Sequence, residues 1–192
     1  MIDRWSPEDE VFLWYDVNNV LARYTRGVDR KDWELMLSAF HDDAIDDHGS
    51  GAGTPREFAE RFAKGQDDVE QCQHINGQVL VLDVDRDAHE VLVETYCVGF
   101  QRLRPGASSA GPLFVAPNIP DDLPTGRLLS VGNRYFDLMT ERDGDLRIAR
   151  RTVIYEWMHV ESSDGQEPLL ERTMSRRSKD DLTYTSLAEF RS

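Results

Sequence analysis

Cysteine is nearly absent from this chain. Its 192 residues contain two, Cys72 and Cys97. They have neither CxxC spacing nor a histidine at a ligand-like offset, which argues against a disulfide scaffold and against a zinc site. Both read as buried thiols. Positive charge is also scarce. Lys and Arg total 22 against 36 acidic residues, a net charge of −14 that repels phosphate backbones and anionic lipid headgroups. No nucleic acid and no membrane surface is therefore expected as a partner. Long apolar runs are missing, and the opening MIDRWSPEDE lacks a basic stretch followed by an apolar one. Neither a signal peptide nor a membrane span is expected, which makes the cytoplasm the expected location. Internal repeats, a P-loop and a dinucleotide-binding glycine fingerprint are absent too, so no nucleotide cofactor is expected.

What is present reads as helices first and strands afterwards. Ser6 followed by Pro7, Glu8 and Asp9 combines a hydroxyl cap, a proline that needs no donor and acids at the positive helix end. Trp14, Val17, Leu21 and Tyr24 then recur on one face until Gly27, which predicts a helix ending near Arg26. A second short amphipathic segment carries Trp33, Met36, Leu37 and Phe40, and AIDDHGSGAG after it reads as turn or loop. Thr54, Pro55 and Glu57 form a capping-box start for a third helix around Phe58 and Phe62.

From His74 onward four segments rich in β-branched and aromatic residues read as strands: GQVLVLDV, HEVLVETYCVGFQRL, RLLSVGNRYFDLMT and LRIARRTVIYEWMHV. Turn chemistry at DRDA (85–88) and ERDG (141–144) predicts hairpins, and so an antiparallel sheet. The fold class is α+β, one domain over 1–160. Residues 105–126 are too rich in Pro, Gly, Ala and Ser for a continuous element and read as an insertion. Leu113, Phe114, Val115 and Ile119 suit it to cover a pocket mouth as a lid. Residues 161–192 read as a tail, disordered or docked on a neighbouring subunit.

Three stretches carry a resemblance: YTRGVDRKDWELMLSAFHDDAIDDHG, then QHINGQVLV, then RYFDLMTERDGDLRIARRTVIYEW. Together they resemble the SnoaL-like branch of the nuclear transport factor 2-like superfamily, over roughly residues 8–158. The most specific parts are Tyr24 with Asp29 five residues on, Trp33, the DDHG turn and His74. The resemblance implies a cone-shaped α+β barrel, a curved antiparallel sheet packed on three N-terminal helices around a small-molecule pocket. Members include scytalone dehydratase, hexachlorocyclohexane dehydrochlorinase, bile-acid dehydratase, polyketide cyclases and ketosteroid isomerase. Family fixes fold better than reaction.

For site residues the resemblance implies that Asp29 accepts a hydrogen bond from one ring nitrogen of His74. The other nitrogen is left to take a proton from substrate carbon. Tyr24 would donate its hydroxyl where negative charge develops. Bile-acid dehydratase-like members imply a pocket-facing arginine on a late strand, and alternation groups Arg134 with Phe136 and Leu138; Arg151 competes for the role. Asp46 and His48 of the DDHG turn are candidates for the cavity mouth or plain turn residues, while His41, His89 and His159 read as surface or sheet-edge positions.

No metal and no organic cofactor is expected. The expected function is a cofactor-independent lyase or isomerase acting on a hydrophobic cyclic or polyketide-like molecule, as a homodimer or homotrimer. A non-catalytic binding protein and a structural β-type subunit of a ring-hydroxylating dioxygenase are the alternatives.

Overall fold

A computed structural model describes residues 5–7, 10–49, 51–107, 126–164 and 174–186. Helix α1 spans Glu10–Arg30 and buries a continuous stripe of Leu13, Val17, Val20, Leu21, Tyr24 and Val28, the spacing of one helical face. Trp14 falls beside that stripe and stays half exposed. The helix does not stop near Arg26. It runs through Gly27 to Arg30 and ends where Lys31 adopts a left-handed φ of 54°. There Asp32 N–H donates to Gly27 O (2.8 Å) and Lys31 N–H to Val28 O (3.4 Å), the paired bonds of a Schellman motif.

Gly27 serves packing instead of termination. A Cβ built on it would lie 2.4 Å from the backbone nitrogen of Met36 and 2.6 Å from its Cα, so α2 (Trp33–Leu37) crosses α1 at a point where only glycine fits. Alanine is favoured over glycine in a helix interior by about 1 kcal/mol, yet forced overpacking costs roughly 1–3 kcal/mol. Gly27→Ala is therefore expected to lower stability in urea unfolding. A stabilised variant would mean that α2 can slide away.

Helix α3, Pro55–Ala63, begins on the anticipated reciprocal cap between Thr54 and Glu57. Between α2 and α3 lies a difference from expectation: FHDDAIDD is strand β1, Phe40–Asp47, followed by the two-residue β2, Ala52–Gly53. The long strands are β3 (Val69–Asp85), β4 (Glu90–Leu103), β5 (Arg127–Arg142) and β6 (Asp145–Ser162). Their order in the sheet is β2-β1-β6-β5-β4-β3. Neighbours are antiparallel except β1, which pairs in parallel with β6. The expectation of an all-antiparallel sheet is corrected accordingly. The β5–β6 hairpin closes on Asp143 and Gly144 at φ 55° and 82°, the positive angles a two-residue turn between twisted strands demands.

The six-stranded sheet is curved but unclosed, and α1 packs against β3 and β6 while α3 packs against β1. Odd-numbered residues of β4 and β5 face this interior: Val91, Val93, Thr95 and Cys97, then Leu129, Val131, Tyr135, Asp137 and Met139 are buried. Even-numbered ones face out, and Tyr96, Phe100 and Phe136 are substantially exposed. Among the described residues no helix is long and apolar enough to cross a membrane.

The described part of the tail spans residues 174–186. It docks on its own chain through charge: Arg30 with Asp181 (3.5 Å), Lys179 with Asp32 (3.6 Å), and the Arg26 guanidinium 4.4 Å above the Tyr184 ring. Leu187 and Phe190 lie outside the described residues.

Candidate active site

Asp29 is the penultimate residue of α1, and β3, on which His74 sits, is an edge strand. An edge strand leaves backbone N–H groups without a strand partner, and Asp29 takes one of them. Its Oδ2 accepts from His74 N–H at 3.0 Å, and its Oδ1 lies 2.6 Å from His74 Nδ1. Both carboxylate oxygens are thus committed to one residue. This sets the ring orientation and puts the Nδ1 proton toward Asp29. Nε2 makes no hydrogen bond among the described residues and borders a cavity. Gly99 pairs with His74 across the β3–β4 ladder, and a Cβ there would lie 3.3 Å from Cδ2 and Nε2; glycine leaves the ring its room.

Electrostatics couple the pair. Burial pulls the His74 pKa down, but the Cys72 sulfur and the Asp29 carboxylate outweigh it and hold the pKa well above the usual imidazole value. Burial likewise raises Asp29, and its hydrogen bonds to His74 more than reverse this, leaving the carboxyl below its ordinary range.

The end of α1 is held by Arg177, which the sequence did not single out. Its guanidinium donates to the carbonyls of Val28, Asp29 and Val69, each at 3.1 Å, and to Gln66 Oε1 at 2.8 Å. One side chain ties the helix that carries Asp29 to the start of the strand that carries His74. It also sets positive charge at a helix C-terminus, where it stabilises the dipole.

Cys72 does converge with the pair: ligand atoms of Asp29, Cys72 and His74 lie within 4.8 Å of one another. A cation there would need Nδ1, which faces Asp29 Oδ1 at 2.6 Å. Tetrahedral zinc ligands with bonds near 2.0–2.3 Å stand roughly 3.3 Å or more apart. The spacing suits a shared proton better than a shared metal.

The cavity lies between α1, α3 and the concave sheet face. Its atom-free volume is about 520 Å³, open solvent at the mouth included. Val28, Phe62, Leu129 and Val131 give it apolar walls. Polar groups enter at His74, Tyr24, Gln101, Asn133, His48 and Tyr155. The Tyr24 ring packs edge-on against Phe40 (5.8 Å) and Tyr135 (5.6 Å). Burial pushes its phenol far above the ordinary range although Arg151 pulls the other way, so it is a neutral donor. The Asn133 Nδ2 is buried with no partner among the described residues.

Tyr24 and His74 thus come to one cavity with Asp29 behind the ring. Arg134 does not. Its grouping with Phe136 and Leu138 holds, but that face of β5 is the outer one, because the interior takes Asn133, Tyr135 and Asp137. Arg134 instead bridges Glu94 (2.7 Å) and Glu156 (2.6 Å). Arg151 is fully buried beneath the cavity, paired to Asp137 through two 2.7 Å bonds.

Asp46 and His48 are not turn residues at the surface. Both are buried, 3.2 Å apart, and the His48 ring stacks on Phe58 at 3.7 Å and 11°. His41 is buried as well, against Thr140 O at 2.9 Å. His89 stacks on Trp5, and His159 stays outside beside Glu161. The anticipated lid lies outside the described residues apart from its ends.

The model of the SnoaL-like domain family matches residues 14–152. Among solved structures, hexachlorocyclohexane dehydrochlorinase (LinA) type 2 superimposes with a TM-score of 0.66 at 13% identity, covering 86% of this chain and 99% of that one. LinA type 3 from Novosphingobium barchaimii gives 0.64 at 14%, over 85% and 99%. A candidate scytalone dehydratase from Novosphingobium aromaticivorans gives 0.60 at 15%, over 85% and 100%. Identities this low speak to fold alone. No curated protein matches the chain in sequence. With helices packed on a curved sheet and the family pattern running from α1 into β6, the chain belongs to the SnoaL-like domain family, within the nuclear transport factor 2-like fold.

Proposed function

We propose that this chain is a cofactor-independent lyase or isomerase that removes a carbon-bound proton from a hydrophobic cyclic or polyketide-like molecule. The observation that carries the reading is the 2.6 Å contact of Asp29 with His74 Nδ1, which leaves Nε2 directed to an apolar-walled cavity. Neutral Nε2 takes the proton, and the Asp29 carboxylate stabilises the imidazolium that forms. Charge developing on a substrate carbonyl oxygen is met by the Tyr24 hydroxyl, with Asn133 Nδ2, which has no partner among the described residues, as a second donor. The narrow cavity suits a small flat ring.

The raised pKa of His74 sets a pH signature. Only its deprotonated form can act as base, so kcat/KM on a cyclic ketone should rise with pH through a midpoint above about 6.5. Deuterium uptake from D2O at the α-carbon, followed from pH 5 to 9, reads this directly. A flat profile removes His74 from the base role. For stability the signs are opposite for the two groups. The pairing stabilises fully below the unfolded His value near 6.5 and above the unfolded Asp value near 3.9. It is lost as pH rises through the raised His74 pKa, or falls through the lowered Asp29 pKa.

The reading includes self-association. Tyr96, Phe100, Phe136, Trp157 and Met158 are exposed on the sheet, apolar surface of the kind that association buries. Light scattering at micromolar concentration should give two or three times the 22.0 kDa chain mass. A monomer mass overturns this.

A further inference from the structure

The cavity holds a second imidazole held by a carboxylate, and the mechanism above leaves it unused. His48 follows β1 directly; its side chain is 6% exposed and that of Asp46 is not exposed at all. Its Nε2 faces Asp46 Oδ2 at 3.2 Å, while Nδ1 makes no hydrogen bond among the described residues. Stacking on Phe58, itself stacked on Phe62 at 5.4 Å, prevents the ring from swinging away. Strand β1 lies near one end of the sheet order and β3 forms the other end. Both imidazoles line the same cavity. A histidine serving only as a strut would spend its second nitrogen on the protein. This one borders the cavity instead.

Resting on the lyase reading, we propose that His48, oriented by Asp46, is the catalytic acid that protonates a departing oxygen while His74 takes the carbon-bound proton. The substrate class is then a cyclic β-hydroxy carbonyl compound. The α C–H bond breaks and its proton goes to His74 Nε2. The electron pair forms the C=C bond, and the C–O bond breaks with its pair on oxygen. That oxygen takes the proton from His48 Nδ1 and leaves as water. His48 ends neutral with its remaining N–H on Asp46, His74 ends protonated, and exchange with solvent resets both. Hydroxide is a far poorer leaving group than acetate, so its departure gains most from a positioned proton donor. A second imidazole lining the same cavity supplies that proton without calling on the imidazolium of His74.

The test pairs two probes, 3-hydroxycyclohexanone and 3-acetoxycyclohexanone, which eliminate to the same enone. Acetate departs without a proton, so only the alcohol needs the acid. His48→Gln should lower kcat/KM on the alcohol by about 100-fold or more beyond any loss on the acetate, with circular dichroism reporting an intact fold. Asp46→Asn should show the same selectivity with a smaller loss. His74→Ala should abolish both eliminations. Equal losses on both probes in His48→Gln and Asp46→Asn, or no loss on the alcohol, overturn the role of His48 and leave the lyase reading standing. If the unaltered protein eliminates neither probe, the lyase reading itself falls and this assignment with it.

Discussion

Asp29→Asn is expected to lower kcat by about 10²- to 10⁴-fold, the range one positioned base supplies, and to do so without unfolding the protein. Asp29 accepts two hydrogen bonds, from His74 N–H and from its Nδ1 side. An amide offers one acceptor oxygen and one donor nitrogen. The backbone N–H cannot change, so the amide oxygen goes to it and the amide nitrogen faces Nδ1. The ring must then carry its proton on Nε2, where it cannot accept one from substrate. The shift of tautomer is visible in the ring ¹⁵N resonances of His74, and His74→Ala should give an equal or larger loss. A full-activity Asp29→Asn enzyme would remove the mechanism. The pocket would then be read as one that binds without reaction.

Arg151→Met should cost about 3–5 kcal/mol, the penalty for leaving a buried charge without its partner. For a domain of this length that is a fall in Tm of roughly 6–20 °C. Arg151 and Asp137 are both fully buried and joined by two 2.7 Å bonds. Burial pulls the guanidinium pKa down, and Asp137 reverses this so that it stays charged. The cation also lies against two tyrosine rings, 4.2 Å from Tyr24 and 4.1 Å from Tyr135, an arrangement worth more when desolvated. Arg151→Lys should fail nearly as badly, since an ammonium cannot make the two-pronged contact. Arg151→Met with Asp137→Leu should recover much of the loss, because an apolar pair carries no stranded charge. A single-variant loss under about 1 kcal/mol would show that water reaches Asp137. The same pair seats the Tyr24 ring from below, so its removal is expected to depress activity as well as stability.

What the sequence determined by itself lay in local signals. The Thr54–Glu57 cap, the four long β-branched runs and the Asp143-Gly144 turn each involve residues a few positions apart, and each stands where the pattern put it, except that the first strand begins at Val69, ahead of His74. Tyr24, Asp29 and His74 were legible because the family pattern carries long-range information that periodicity does not. Only the tertiary structure decided the rest. Strand β1 is acid-rich and poor in strand formers, and it is a strand because β6 pairs with it in parallel from about a hundred residues away. Alternation grouped Arg134 with its neighbours on β5 correctly, but alternation has no sign: which face is concave depends on where α1 and α3 pack. Gly27 reads as a helix end until α2 is seen crossing it. Arg177, His48 and Asp46 reach the site through curvature and through docking of the chain on itself. These are distances in space that no short-range pattern encodes, so burial and partnership, the quantities that turn a polar side chain into a functional one, appear only once the chain is folded.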